Sequence, residues 1–157
     1  LQDQNLQPDW IVLASSSGGT QAGLLLGAKQ ISFSGRILGI SVDKPADELT
    51  QTIMALANQT AAWLDIDKKI ESEDVLVNDA YCQEGYGVLQ PAEVEAIRLF
   101  ARTEGILLDP VYTGRAAAGL IDLIRKGFFR PDETVLFWHT GGIPALFAEP
   151  YASALLG

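Results

Sequence analysis

The chain has 157 residues, 48% of them apolar and 20% charged, which suits one globular domain with a buried core. Its formal net charge of −9 argues against a nucleic-acid partner, and a single cysteine (Cys82) and a single histidine (His139) exclude a disulfide framework and a thiolate- or His-rich metal site. Its apolar stretches are too short to span a membrane and no signal peptide is visible, so we expect a cytoplasmic protein.

The start of the chain bears on its completeness. The first residue is Leu1, and the only methionine is Met54. A translation product normally begins with methionine, so we expect this sequence to be part of a longer protein.

The first half of the chain alternates between strands and helices. Short apolar runs without polar alternation predict buried strands, and longer runs rich in alanine and leucine predict helices. In chain order these are a strand over 9–14, a helix over 21–30, a strand over 36–42 and a helix over 46–64.

The second half opens less regularly and then resumes the alternation. Residues 65–87 contain an acidic turn and a possible short strand over 75–77. Pro91 begins a helix that ends near Gly105, and Gly127 is expected to end the next helix. The remaining predicted elements are a strand over 106–108, that helix from Thr113, a strand over 134–138 and a helical turn over 143–147. Four short strands separated by helices predict an α/β fold with an open parallel sheet and helices on both faces.

Three loops follow predicted strands and consist of small or polar residues. They are SSSGGTQAG (the first loop, 15–23), DPVYTG (the second loop, 109–114) and HTGG (the third loop, 139–142). Because ligands of parallel sheets bind beyond the carboxyl ends of the strands, these loops are the main functional signal in the pattern. Together they suit a small phosphorylated ligand.

The first loop has the composition of an anion site. Its small residues leave backbone N–H groups uncovered at the start of a helix, where the dipole favours a phosphate. It matches neither the dinucleotide-binding nor the P-loop pattern. The same residues also suit a tight turn with a helix cap.

The other two loops have structural readings as well as functional ones. Tyr112 could face a ligand, or it could pack on a neighbour beside a helix capped by Thr113. The paired glycines of the third loop suit either an ordinary turn or the close approach of a flat ring. His139 is expected to be structural, and Cys82 inert.

The three loops, in this order and within GILLDPVYTGRAAAGL and VLFWHTGGIPALFA, resemble a known enzyme family. It is the pyridoxal-phosphate-dependent family of D-cysteine desulfhydrase and 1-aminocyclopropane-1-carboxylate deaminase. The resemblance spans essentially all 157 residues and corresponds to the C-terminal half of a family member. It implies the tryptophan-synthase-β type of fold, with the cofactor between two α/β domains. Residues 1–157 would form most of the larger domain.

The resemblance also implies cofactor contacts. Ser17 to Thr20 match the loop that holds the cofactor phosphate, and Thr140 matches the position that faces the pyridine nitrogen in desulfhydrases. Thr113 stands where deaminases carry a glutamate that pairs with this nitrogen. The implied cofactor-binding residues are Ser17, Gly18, Gly19, Thr20, Thr113 and Thr140.

The implied catalytic residues are two tyrosines. Tyr86 and Tyr112 match tyrosines that face the substrate. The Schiff-base lysine and the loop that grips the substrate carboxylate belong to the N-terminal half of family members, and no residue here matches them. The five lysines of this chain, in other contexts, are Lys29, Lys44, Lys68, Lys69 and Lys126.

The implied reaction of the parent protein is β-elimination from D-cysteine, which gives pyruvate, ammonia and sulfide. Ring-opening deamination of 1-aminocyclopropane-1-carboxylate and removal of sulfite from cysteate are the alternatives. A different class is a non-catalytic module that binds a phosphate-bearing ligand or forms an assembly interface. The expected partners are a small amino-acid substrate, the missing N-terminal half and a second copy in a homodimer, without nucleic acid or membrane.

Overall fold

A four-stranded parallel sheet forms the centre of the molecule. The computed structural model of the protein describes residues 6–156. The strands are β1 (Trp10–Ser15), β2 (Arg36–Ser41), β3 (Leu76–Asn78) and β4 (Val135–Phe137). They are all parallel and lie in the order β3-β2-β1-β4.

Five α-helices connect or follow these strands. They are α1 (Gly19–Gln30), α2 (Ala46–Trp63), α3 (Pro91–Thr103), α4 (Thr113–Arg125) and α5 (Tyr151–Leu156), with short 3-10 helices at Ser72–Asp74 and Ile143–Phe147. Gly127 follows α4 with φ +69°, a left-handed conformation that glycine adopts readily, and this confirms it as the residue that ends the helix. No helix within residues 6–156 is long and apolar enough to cross a bilayer.

Helices cover both faces of the sheet, as the unbroken apolar strands predict. On one face Ile11 and Leu13 of β1 pack with residues of α1 and α2. On the other face Trp10 and Val12 pack with α4 and Phe129. The predicted fold class, an open parallel sheet with helices on both faces, is therefore confirmed.

Helix α4 lies between two layers, which explains its small residues. Ala116 faces the sheet, whereas Ala117 and Ala118 pack against α3. Gly119 leaves no room for a side chain, since an added Cβ would lie 3.1 Å from Ile40 and from the ring of Tyr81. Small side chains let this helix approach the sheet and α3 together, and this fixes the position of its N-terminus.

One predicted strand is wrong. Residues 106–108 do not form a strand among the described residues, and Ile106 and Leu107 are 44% and 40% exposed. The fourth strand is instead Leu76–Asn78, which pairs with β2. A short apolar run becomes a strand only where a neighbouring strand offers backbone partners.

Candidate functional site

The first loop connects β1 to α1 through a left-handed turn. Gly18 has φ +83°, and a Cβ added there would lie 2.8 Å from Ile53 Cγ1, so the position requires glycine. Within residues 6–156 none of the backbone N–H groups from Ser17 to Gln21 donates to a protein acceptor. The turn therefore presents free donors at the positive end of the α1 dipole.

These donors line a small cleft of about 130 Å³ at the carboxyl end of β1. A water molecule takes up about 30 Å³ in the liquid, so the cleft has room for the oxygens of one phosphate group. Tyr112 and Thr140 complete its wall. None of the described residues that line the cleft carries a charged side chain, so an anion would be held by N–H groups, hydroxyls and the helix dipole.

Two side-chain atoms beneath the loop are buried without a partner. They are Ser15 Oγ and Gln21 Oε1, both of which belong to residues that line the cleft. Both atoms lie beside Gly39, since a Cβ added at that glycine would clash with Gln21 Oε1 and lie 3.0 Å from Ser15 Cβ. The Gln21 amide is fixed by its Nε2, which donates to Leu76 O at 2.8 Å. The two atoms therefore lie against the sheet beneath the loop, and the backbone N–H groups are the donors that the cleft presents.

A larger cavity of about 530 Å³ lies at the opposite edge of the sheet, near the start of β2. Its lining contains both signs of charge, and Lys29 there binds Asp74 at 2.5 Å and the carbonyl of Lys69 at 2.8 Å. Arg36 lies over the Trp10 ring, 5.1 Å from its centroid. Because its lysine is already neutralised, and because it lies far from the three loops, this cavity is a weaker candidate than the smaller cleft.

Asp109 organises the second loop. The residue is fully buried, and its carboxylate accepts bonds of 2.7 to 2.9 Å from the N–H groups of Val111, Tyr112 and Thr113 and from the Thr113 hydroxyl. The carboxylate thus caps the start of α4 and turns Tyr112 outward, where it is 37% exposed. Sequence reasoning missed this role, although an aspartate just before a helix is a recognised capping signal.

Thr113 lies away from the cleft. It is 1% exposed, and its hydroxyl donates to Asp109 Oδ1 and accepts from Asp109 N. The capping role expected of Thr113 belongs to Asp109. Thr140, the other threonine that the resemblance places at the pyridine nitrogen, does line the cleft.

Tyr86 and Tyr112 come together although 26 residues separate them. Their hydroxyl oxygens are 2.5 Å apart and their ring centroids 5.9 Å apart. The hydrogen bond with Tyr86 is the largest cause that raises the pKa of Tyr112, to about 12. The shift makes Tyr112 a weaker acid, so near neutral pH its hydroxyl keeps its proton and can take part in hydrogen bonds at the mouth of the cleft.

The third loop packs against the second. A Cβ added at Gly142 (φ +90°) would lie 2.7 Å from Asp109 Cγ, so the close approach at this glycine is to the aspartate. His139 Nδ1 accepts from Gly141 N at 3.0 Å, and its Nε2 lies 3.0 Å from Leu107 O. These backbone contacts agree with the expected structural role of His139.

The cysteine and the lysines are not among the described residues that line the cleft. Cys82 is half-buried, and its thiol lies 3.2 Å from Asp79 O. None of the described lysines lines the cleft, and four of them pair with acidic side chains: Lys29, Lys44, Lys69 and Lys126. No cluster of metal-ligating side chains occurs within the described part of the chain.

Comparisons with known proteins identify relatives that match most of this chain. A 1-aminocyclopropane-1-carboxylate deaminase of Pseudomonas syringae pv. tomato is 39% identical over 143 residues, which are 91% of this chain and 42% of that enzyme. One of a Methylobacterium species is 38% identical over 144 residues, 92% of this chain and 43% of that enzyme. The chain thus spans about two fifths of the length of these relatives.

A solved structure described as "Crystal Structure Analysis of the ACC deaminase homologue" matches with a TM-score of 0.81 and 37% identity, over 96% of this chain and 44% of that one. The family model for pyridoxal-phosphate dependent enzymes matches residues 1–141. On the sequence, the relatives and the fold together, the chain belongs to the family of pyridoxal-phosphate dependent enzymes.

Proposed function

We propose that the whole protein is a pyridoxal-phosphate-dependent lyase that eliminates the β-substituent of a small amino acid such as D-cysteine. The observation that carries the proposal is the cleft itself. Free N–H groups lie at its base, a tyrosine and a threonine form its wall, and none of its described lining residues bears a carboxylate.

Each part of the cleft has a proposed role toward the cofactor. The N–H groups of Ser17, Gly18, Gly19 and Thr20 would hold the phosphate group. Thr140 would hydrogen-bond to the pyridine nitrogen. Thr113 supports the site indirectly, through Asp109. Pyridoxal phosphate, when bound, supplies the electron sink that lets bonds at the amino-acid carbons break.

The tyrosine pair would orient the substrate. Tyr112 stays protonated at neutral pH and lies at the mouth of the cleft, so its hydroxyl can donate a hydrogen bond there. Tyr86 accepts or donates at the Tyr112 hydroxyl and so fixes its orientation. The lysine that the family uses is proposed to lie outside this chain, and the 157-residue chain alone is not proposed to turn over substrate.

Ring-opening deamination of 1-aminocyclopropane-1-carboxylate is the second candidate. The names of the two relatives favour it, since both are deaminases of that compound. Elimination is favoured instead by the lack of a carboxylate among the described residues that line the cleft. Thr113, which the resemblance places where deaminases carry a glutamate, lies outside the cleft and is bonded to Asp109.

The remaining part of the protein is proposed to cover exposed apolar side chains in the segments before α4 and after β4. These are Ile106, Leu107, Trp138 and Phe147, at 44%, 40%, 38% and 62% exposure. We also propose a homodimer for the whole protein.

A charge placed in the first loop tests the proposed phosphate site. In the whole protein, Ser17→Glu should weaken pyridoxal phosphate binding by at least about tenfold, because like charges a few ångströms apart near a protein surface repel by more than 1.4 kcal/mol. Binding of pyridoxal, which lacks the phosphate, should change little. Absorbance titration with each compound gives both constants.

Ser34→Glu is the matched control. Ser34 is exposed beyond the other end of α1, and the change alters the net charge equally. It should leave both binding constants as they are. Equal weakening of pyridoxal and pyridoxal phosphate by Ser17→Glu, or no weakening, would contradict the assignment of the loop.

A further inference from the structure

We propose that Arg115 is a positioning residue that holds the segment 85–88 in place and so brings the Tyr86 hydroxyl to Tyr112. Its consequence for catalysis rests on the proposed function. The placement of the two tyrosines does not, because it follows from contacts of the chain alone.

Arg115 is fully buried and uses its guanidinium as a multiple donor. Nη1 donates to Val42 O at 2.7 Å and to Gly85 O at 2.9 Å, and Nη2 donates to Val88 O at 2.8 Å. Nε donates to the carboxylate of Glu93 at 2.8 Å. One side chain thus joins α4, α3, the end of β2 and the segment 85–88.

The bonds from Arg115 are the main ones to the segment around Tyr86, where Gly85 N also donates to Cys82 O at 3.1 Å. Its side chain is 56% exposed, and the segment around it forms neither helix nor strand. Gly85 and Gly87 have φ values of +100° and +73°, which turn the backbone around the tyrosine. The two carbonyls that Arg115 binds belong to Gly85 and Val88, which flank Tyr86 on either side. A second donor, the Tyr151 hydroxyl, reaches Gly87 O at 2.6 Å.

The position of Arg115 on α4 explains how these contacts bring the two tyrosines together. Arg115 follows Tyr112 by three residues, so the same helix start carries one tyrosine and binds the segment that carries the other. The Asp109 cap fixes Tyr112 at this helix start. The distance between the two hydroxyls is therefore set by one helix terminus.

A residue that only joined α4 to α3 would not need the bonds that Arg115 makes to the segment 85–88. Arg125 of α4 also pairs with a glutamate of α3, Glu95, but this pair is exposed and touches no part of the segment 85–88. The cost of burying the Arg115 charge is offset by Glu93, whose other oxygen accepts from Gln90 N at 2.8 Å. The planar fork of an arginine can bind several carbonyls at once, and a lysine cannot reproduce it.

The test compares Arg115→Lys with Arg125→Lys in the whole protein carrying ¹³C-labelled tyrosine. Arg115→Lys should remove the ring-to-ring nuclear Overhauser effect between Tyr86 and Tyr112. It should also lower the pKa of Tyr112 from about 12 toward 10, because the Tyr86 hydrogen bond is the largest cause of the shift, and the smaller contributions of Asp109 and Asp43 remain. Arg125→Lys should change neither signal.

Activity gives a second readout, which depends on the proposed function. With D-cysteine, Arg115→Lys should lower kcat by about a hundredfold with little change in KM, as expected when a group that orients the substrate moves by about 1 Å. If the tyrosine signals change as expected but D-cysteine is not a substrate, the positioning role stands and the proposed function fails.

A double variant keeps the proposal testable if Arg115→Lys prevents folding. Arg115→Met with Glu93→Gln leaves no unpaired buried charge and keeps a side chain that can cap Gln90 N. It should disrupt the tyrosine pair as Arg115→Lys does, whereas Arg125→Met with Glu95→Gln, the same change at the exposed pair, should not. An unchanged Tyr86–Tyr112 signal in either Arg115 variant, or equal disruption by the Arg125 and Glu95 double variant, would overturn the proposal.

Discussion

The whole protein should show a kcat/KM on D-cysteine that exceeds its value on 1-aminocyclopropane-1-carboxylate by at least about a hundredfold, the effect of one well-placed acid–base group. The physical reason is the wall of the cleft. Thr140, which the resemblance places beside the pyridine nitrogen, has a hydroxyl that can donate to an unprotonated nitrogen. A carboxylate at that place would keep the nitrogen protonated and strengthen the electron sink. Opening a cyclopropane ring needs the stronger sink, whereas expelling a thiol from the β-carbon does not.

The variant Thr140→Glu probes this cause. It should shift the ratio of the two kcat/KM values toward the cyclopropane substrate, and Thr60→Glu, on the exposed side of α2, should not. Steady-state assays on both substrates measure the ratio. Comparable kcat/KM values on the two substrates in the unmodified protein would contradict the assignment to elimination and favour the deaminase reaction.

The second large effect is expected on stability. Asp109→Ala should lower the free energy of unfolding by about 3–5 kcal/mol, the cost of breaking a buried network around a charged group. The change leaves three N–H groups and the Thr113 hydroxyl without their buried acceptor. It should also release Tyr112, because the loop that carries it would lose its cap.

Denaturant unfolding of the protein measures the effect. Asp132→Ala is the control, since Asp132 is exposed and its nearest cation, Arg130 Nε, lies 3.3 Å away. An exposed pair of this kind contributes less than about 1 kcal/mol. If Asp109→Ala costs no more than Asp132→Ala, the carboxylate does not hold the second loop as described.

Local pattern was sufficient for most of the fold. The unbroken apolar runs at β1, β2 and β4 and the caps of the helices are signals within single segments, and they placed these elements within a few residues. The choice between residues 76–78 and 106–108 was not a local matter. Both runs are short and apolar, but only the first lies beside β2, whose backbone supplies the partners of a parallel ladder.

The candidate site also combines features that local sequence predicts with contacts between distant parts of the chain. The composition of the first loop predicted a donor-rich turn because glycine and serine leave the backbone uncovered. The pairing of Tyr86 with Tyr112 depends on Arg115, whose carbonyl partners lie 27 to 73 residues away in the sequence. The resemblance implied a cofactor contact for Thr113, which stands where deaminases carry a glutamate. In the structure Asp109, four residues earlier, binds the Thr113 hydroxyl instead.

The first loop is proposed to hold the cofactor phosphate. A crystal structure of the whole protein with pyridoxal phosphate bound would show which groups contact it. We expect the phosphate oxygens within hydrogen-bonding distance of the N–H groups from Ser17 to Thr20, and the ring toward Thr140 and Tyr112. A phosphate group held elsewhere, with those N–H groups bound only to water, would show that the loop is not the phosphate site.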